Sequence, residues 1–498
     1  MPALLAIPPF PGARAPQFAL RAGGQGEGDP AALLAALAEH RVGGCYWGRQ
    51  IADPPPKLDA ANWPVDADPW ALLDAADSVH LPAGDPRCLL ALAANKPLTI
   101  DRAEADPCDA EALVRAHLTG WRWRDPFSGA EITPLDAIEL CGFWRRLIDS
   151  NRGICAALGF AHWKKPTVAP LLWNGHEAPF RRSLPQPCPE GEVAVWRSRV
   201  APADNAKLAG RAVLEVEDGF IRSAGLGADC VPPLSIIVDA RGVHFDPTAP
   251  SDLEDLLEHG TFPPDLLERA AMLRAAIIAG GLSKYEQSTA EALPRPGGAR
   301  RHVLVPGQVE DDRAVTSGGA LRSNLELLRR ARAAAGDDAF VIYKPHPDVL
   351  AGHRKGVIGA EDAAQLADRI ETEAGMAALI AMVDELHVNS SLAGFEALLR
   401  GKPVTVHGVP FYAGWGLTQD LGEVPDRRTA RRSMDELVAA ALLLYPRYLD
   451  PETGLPCPPE VLVERLTRSQ VKLAPNARAF VAIRRLAGRT NRLLGRAG

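Results

Sequence analysis

The stretch "HVLVPGQVEDD", residues 302–312, ends a strand-like run in a burst of polar side chains. His302, Val303, Leu304 and Val305 break at Pro306-Gly307, and Gln308, Glu310, Asp311 and Asp312 follow. Side chains at the carboxyl end of a parallel strand stand where open α/β folds place their chemistry. A carboxylate there suits a nucleophile or a general base; the same residues also suit a solvated acidic turn. A second acid pair, Glu217-Asp218 in "EVEDGFIRS", follows another strand-like run. Gly219 behind it lets the backbone approach a bound sugar closely, although a tight acidic turn reads equally well.

Three further stretches carry binding chemistry. In "YKPHPDV", Lys344 and His346 lie on one side of an extended backbone and suit a phosphate by charge and hydrogen bond. The competing reading is a turn set by Pro345 and Pro347. In "NSSLAGFEALLRGKP", Ser390 and Ser391 stand at the N-cap of a helix that follows a strand. Free N–H groups, the helix dipole and two hydroxyls make an anion site there. Glu396, one turn in, is placed to accept from ribose hydroxyls. In "PFYAGWGLTQD", Phe411, Tyr412 and Trp415 alternate with Gly414 and Gly416, which fits a flexible aromatic lid or a packed turn. Lys284 and Tyr285 of "SKYE" follow a helix end, where a cation complements the dipole.

These residues need elements to hold them. From "VAVWR" onward, strand-like and helical runs alternate, which predicts a mostly parallel sheet covered by helices. The residues before 295 have strands of their own, so two α/β domains facing across a cleft are expected. There is also an internal repeat. "DSVHLPAGDPRCLLALAANKPLTI" matches "DELHVNSSLAGFEALLRGKPVTV", and "RWRDPFSG" matches "RYLDPETG" in the same order. The first copy lacks the Glu-Asp-Gly, Gln…Asp and His-Pro elements. The expected organisation is a degenerate remnant of a first module (1–130), a Rossmann-like domain with linking helices (131–295), a second Rossmann-like domain (296–430), and C-terminal helices with a basic tail (431–498).

The bulk numbers set limits. A chain of 498 residues is too long for one core. With 47% hydrophobic and 23% charged residues it has ordinary globular composition. A net charge of −7 argues against a general nucleic-acid binder. No apolar run reaches membrane-spanning length. The N-terminus, with its prolines and no basic region, reads as a mature cytosolic start. The eight cysteines show no C-x-x-C pair and read as small buried hydrophobes.

The segments "EDGFIRSAGLGADCVPPLSIIVDARG", "LVPGQVEDD", "YKPHPDVLAGHRKG", "LAGFEALLRGKPV" and "PFYAGWGLTQD" together resemble the KpsC-like capsule polysaccharide biosynthesis proteins of Gram-negative bacteria, in particular their C-terminal module. That resemblance implies a GT-B-like fold of two Rossmann-type domains, the acceptor-side one at 131–295 and the CMP-Kdo-binding one at 296–430. It implies a retaining β-Kdo glycosyltransferase that takes Kdo from CMP-β-Kdo and extends a Kdo-terminated lyso-phosphatidylglycerol linker. It implies a cytoplasmic protein with peripheral contact at the inner membrane, working beside capsule assembly and export proteins. The arginine-rich stretch 478–498 suits such a surface, or a helix packed back on the protein. No metal and no other cofactor is required. Asp312 is the implied nucleophile with Asp311 as fallback, and Glu217 or Asp218 the implied acid/base. The implied substrate-binding set is Lys344, His346, Pro347, Ser390, Ser391, Gly394, Glu396, Gln308, Arg222, Ser223 and Lys284. With a worn first module, one active site and one linkage type are expected. The alternatives are a transferase for another CMP-activated acidic sugar, a GT-B epimerase, and a non-catalytic partner in capsule assembly.

Overall fold

The computed structural model describes residues 3–14, 16–21, 28–101, 109–177, 179–185, 187, 189–222, 231–283, 293–352 and 354–468. Ser223, Lys284, Tyr285 and the basic tail therefore lie outside the described residues.

The sheet that carries the quoted carboxylates has six parallel strands. Their spatial order is Arg369–Ile370, Phe340–Lys344, His302–Pro306, Glu385–Val388, Val404–Val406 and Gln419–Asp420. Both "HVLVP" and "FVIYK" are buried along their whole length, as expected for strands covered on both faces. His302–Pro306 comes first in the chain and sits centrally. The next strand pairs on one side of it and Glu385–Val388 on the other. The order therefore reverses at His302–Pro306, and a crevice opens at its carboxyl end.

The other large sheet is mixed. Ile154–Leu158, Glu192–Val195 and Val213–Asp218 run parallel. Ser235–Asp239 then pairs antiparallel with Val213–Asp218, and Pro446–Leu449 and Pro456–Cys457 extend the edge antiparallel. Two expected boundaries are corrected here. The segment after 431 is not helices alone: two of its strands complete the earlier sheet, and the helix Pro459–Thr467 follows them. The helix Pro134–Asp149 belongs with the N-terminal block, because Ile138, Cys141, Trp144 and Ile148 pack in the core that holds Leu37, Trp70 and Leu89. Both corrections arise from long-range packing, which no local pattern encodes.

The repeated sequences take the same local structure. Ser78–Pro82, Arg87–Ala93 and Leu98–Asp101 form a strand–helix–parallel strand unit, as do Glu385–Val388, Leu392–Leu399 and Val404–Val406. The Lys-Pro in each copy has a physical cause. Lys96 Nζ donates to Asp74 O (3.4 Å) and Ala76 O (2.9 Å), and Lys402 Nζ to Ala381 O (3.2 Å) and Val383 O (2.7 Å). Each lysine satisfies carbonyls at the end of the helix before the unit's first strand, Pro69–Ala75 or Met376–Met382, where a cation is favoured. In the second pair, Asp125 and Asp450 each accept from a hydroxyl and two backbone N–H groups of the following turn. Each such strand is preceded by a π-helical turn, Arg115–Thr119 and Ala439–Leu444.

The two large sheets share one hydrophobic core. Phe220 stacks on Phe411 with ring centroids 4.5 Å apart, and Phe395 lies 5.2 Å from Phe411. Burying each such ring contributes roughly 1.5–3 kcal/mol. Tyr412 and Trp415 are fully buried, and Trp415 Nε1 donates to Phe411 O at 2.8 Å. The aromatic run is thus a packed turn and not a lid.

Candidate active site

A cleft of about 320 Å³ opens between the two sheets at their carboxyl ends. One wall carries Glu217 and Asp218, from the end of Val213–Asp218. The other carries Gln308 and Asp312, then Lys344, His346 and Pro347, then Ser390, Ser391 and Glu396. Three strand ends of one parallel sheet thus converge on one wall.

The loops on that wall are tied together across the crevice. Ser390 N donates to Gln308 Oε1 at 2.9 Å, and Gln308 Nε2 donates to Ser390 Oγ at 3.2 Å. Ser390 Oγ donates to Ala314 O at 2.9 Å. Ser391 caps the helix Leu392–Leu399, its hydroxyl accepting from Ala393 N at 3.2 Å. His346 Nδ1 accepts from Asp348 N at 3.1 Å. In the neutral ring the proton therefore sits on Nε2, which makes that atom a donor. Lys344 is buried, and its amine donates to Ala374 O at 2.7 Å.

The acids divide by environment. Asp312 lines the cleft and caps the turn Arg313–Gly318, accepting from Ala314 N at 3.0 Å. The guanidinium of Arg354 lies 3.9 Å from it. Asp311 is turned toward the same arginine at 3.2 Å and does not line the cleft. Glu217 accepts from Arg313 at 2.7 Å, and Glu215 from the same guanidinium at 3.1 Å. Burial pushes the Glu217 carboxyl up to about 7; the Arg313 charge opposes this, and Asp218 and Glu215 add to it. Asp218 sits between Lys164 at 3.1 Å and Arg222 at 2.9 Å. Burial brings Lys164 down to about 8 despite the Asp218 charge. Its amine lies 3.2 Å from the Trp196 ring centroid. Among the described residues, no group of three or more His, Cys, Asp or Glu is placed to hold a metal ion.

Most of the expected set meets at this cleft; Gly394 and Arg222 do not line it. Gly394 has a packing reason: a Cβ there would stand 2.2 Å from Tyr412 Oη. Arg222 is buried behind the wall, against Asp218. Three cations escaped the sequence reading. Arg313 directly follows Asp312, yet reaches the opposite wall. Arg354 lies in "HRKG", just past the Lys-Pro-His-Pro stretch. Lys164 lies in "HWKKP", a basic pair beside an aromatic after a strand, which was the available signal.

Residues 193–448 match the family model described as "Capsule polysaccharide biosynthesis protein". The capsule polysaccharide modification protein LipA of Neisseria meningitidis serogroup B is 35% identical over 371 residues, 72% of this chain and 52% of LipA. This chain thus spans about half the length of that relative. The lipopolysaccharide-processing protein LpsZ of Rhizobium meliloti is 49% identical over 326 residues, 63% of this chain and 74% of LpsZ. Among solved structures, the KpsC β-Kdo 2,7 transferase of Thermosulfurimonas dismutans is 32% identical with a TM-score of 0.52, covering 63% of this chain and 99% of that one. The KpsC β-Kdo 2,4 transferase of the same organism is 31% identical with a TM-score of 0.54, covering 63% and 98%. With these neighbours, the two facing α/β domains have the GT-B-like glycosyltransferase fold.

Proposed function

The chain belongs to the capsule polysaccharide biosynthesis protein family, and we propose that it is a retaining β-Kdo glycosyltransferase using CMP-β-Kdo. The observation that carries this reading is the pairing, across one cleft, of a strand-end carboxylate with a buried acid from the facing domain. The kinship with two Kdo transferases supports the choice of donor. No metal enters the scheme.

Transfer runs in two displacements, each inverting the anomeric carbon, so the sum retains. Asp312 attacks that carbon as the bond to the phosphate oxygen breaks, and CMP leaves as an anion needing no proton. His346 Nε2–H, the Ser391 hydroxyl and the helix N-terminus at Leu392 hold the phosphate, with Glu396 on the ribose. The acceptor hydroxyl then attacks, Asp312 leaves as a carboxylate, and Glu217 takes the proton. An acid held near neutrality is suited to that step. Asp218, committed to two cations, positions Lys164 for the carboxylate of the sugar, with Arg222 holding Asp218 from behind. The acceptor is a Kdo-terminated lyso-phosphatidylglycerol, met at the cytoplasmic membrane surface alongside the capsule assembly proteins.

The test is transfer from CMP-β-Kdo, generated in situ, to a synthetic Kdo-terminated acceptor. Wild type should form product and Asp312→Asn should not. No product with any Kdo acceptor, but product from another CMP-activated acidic sugar, would transfer the reading to that donor.

A further inference from the structure

A second concavity, of about 460 Å³, lies on the far side of the loop that carries Lys164. It is lined by the carboxyl end of Ile154–Leu158, by the segment that follows Glu192–Val195 and by the segment around Arg181. Its side chains are cationic and aromatic: His162, Trp163, Lys165, Arg181, Arg182 and Arg199. The only acid in the lining is Asp204, which Lys207 already binds at 3.2 Å.

Among the described residues, most arginines elsewhere are tied to a carboxylate or a carbonyl. Arg181 follows that pattern, with Glu177 at 2.9 Å. Arg182 and Arg199 do not: both are exposed, and neither makes an ion pair or side-chain hydrogen bond among the described residues. Lys165 makes only a cation–π contact, 5.4 Å from the Phe180 ring. Uncommitted like charges around one concavity repel one another, so the arrangement costs stability unless an anion occupies it. Trp163 adds a half-buried aromatic face beside those charges, which suits the C–H face of a sugar ring.

The loop that carries Lys164 lies between the groove and the catalytic cleft. In the run Trp163-Lys164-Lys165, Lys164 turns inward to Asp218 at the cleft, and its two neighbours line the groove. A chain whose reacting end sits at Glu217 can therefore continue over this loop.

We propose that this groove binds carboxylated sugar units of the acceptor, behind the unit that receives the new residue. Binding there tethers a growing acidic glycan and favours acceptors that already carry several acidic sugars. The inference rests on the glycosyltransferase reading for its ligand, but it is tested separately by binding. The groove is on the acceptor side of the fold, so first-half chemistry on the donor is independent of it.

The experiment measures binding of a synthetic β-Kdo tetrasaccharide and of a mono-Kdo glycoside to the full chain. Wild type is compared with Arg182→Ala/Arg199→Ala and with Arg199→Glu. Both positions are exposed, and thermal unfolding checks that each variant folds. The double variant should weaken tetrasaccharide binding about tenfold and flatten its salt dependence. Mono-Kdo binding, and CMP release in the absence of acceptor, should be unchanged. Equal weakening of both saccharides, no weakening, or no binding by wild type would overturn the proposal. Loss of binding to phosphatidylglycerol vesicles with tetrasaccharide binding intact would also overturn it, assigning the groove to a membrane surface. If wild type transfers no sugar yet the double variant selectively loses the tetrasaccharide, the catalytic reading fails and the groove stands.

Discussion

Arg313 Nη1 stands 2.7 Å from Glu217 Oε1 across the cleft. Arg313 is also the residue after Asp312, whose side chain caps the turn that Arg313 begins. One guanidinium therefore links Glu217 of one domain to the strand end that bears Asp312 of the other. Its first consequence concerns Glu217. Glu217→Gln should lower transfer by about 10²–10⁴-fold, the usual worth of a positioned base. Asp218→Asn should instead raise KM for the donor more than it lowers kcat, because it loosens Lys164 and Arg222. Steady-state kinetics of the two variants side by side distinguish these roles.

The pH profile follows from the same group. Glu217 titrates near 7 and must be ionised to take a proton. Lys164 titrates near 8 and must be charged to meet the sugar carboxylate. Transfer should therefore rise through about 7 and fall through about 8. Arg313→Ala removes the charge that favours ionised Glu217, so the rising limb should move to higher pH. A limb that stays put in Arg313→Ala would assign it to another group.

Stability carries an independent signature. The Glu217 value is raised from 4.5 to about 7 on folding, so the folded chain holds this proton where the unfolded chain has released it. The contribution is full below 4.5 and is lost as pH rises through 7. Glu217→Gln stays neutral throughout. It should stabilise the protein above pH 7 by up to about 3 kcal/mol and do nothing below 4.5. Denaturant unfolding at pH 4.5 and pH 8 reads the difference.

The parallel sheet and its carboxylates were legible in the sequence because their determinants are local. Apolar runs such as "FVIYK" end in Gly, Pro and polar residues at each strand's carboxyl end, which marks where a parallel sheet presents its chemistry. The mixed sheet was not legible. Pro446–Leu449 pairs with Ser235–Asp239 across a long intervening segment, and that pairing leaves no periodic mark. Lys164 and Arg313 were missed for the same reason: Asp218 is brought to Lys164 by the pairing of distant strands in the mixed sheet, and Glu217 to Arg313 by the packing of one domain on the other. The aromatic run at Phe411 fitted a lid or a turn until burial of Tyr412 and Trp415 decided it.

The repeat makes a prediction about folding. Lys402 satisfies two carbonyls at the end of the helix Met376–Met382, and Lys96 does the same in the first copy. Lys402→Ala should destabilise by about 1 kcal/mol, and Lys402→Arg by less. Thermal or urea unfolding measures both.

Among the described residues one cleft carries this chemistry, which predicts a single product. The worn first copy has no counterpart of Gln308, Asp312 or His346, so the glycan formed should contain one new linkage type. Nuclear magnetic resonance of the product from a mono-Kdo acceptor reads it. Two alternating linkages would require a second site.

The central claim is that Asp312 forms a covalent bond to the sugar. Glu217→Gln blocks the second displacement and leaves the first intact, so incubation with CMP-β-Kdo and no acceptor should release CMP and add the mass of one Kdo unit to the protein. Peptide mapping should place that mass on Asp312, and Asp312→Asn in the same background should abolish it. An adduct on Asp311 or Asp218, or full transfer by Asp312→Asn, would contradict the account.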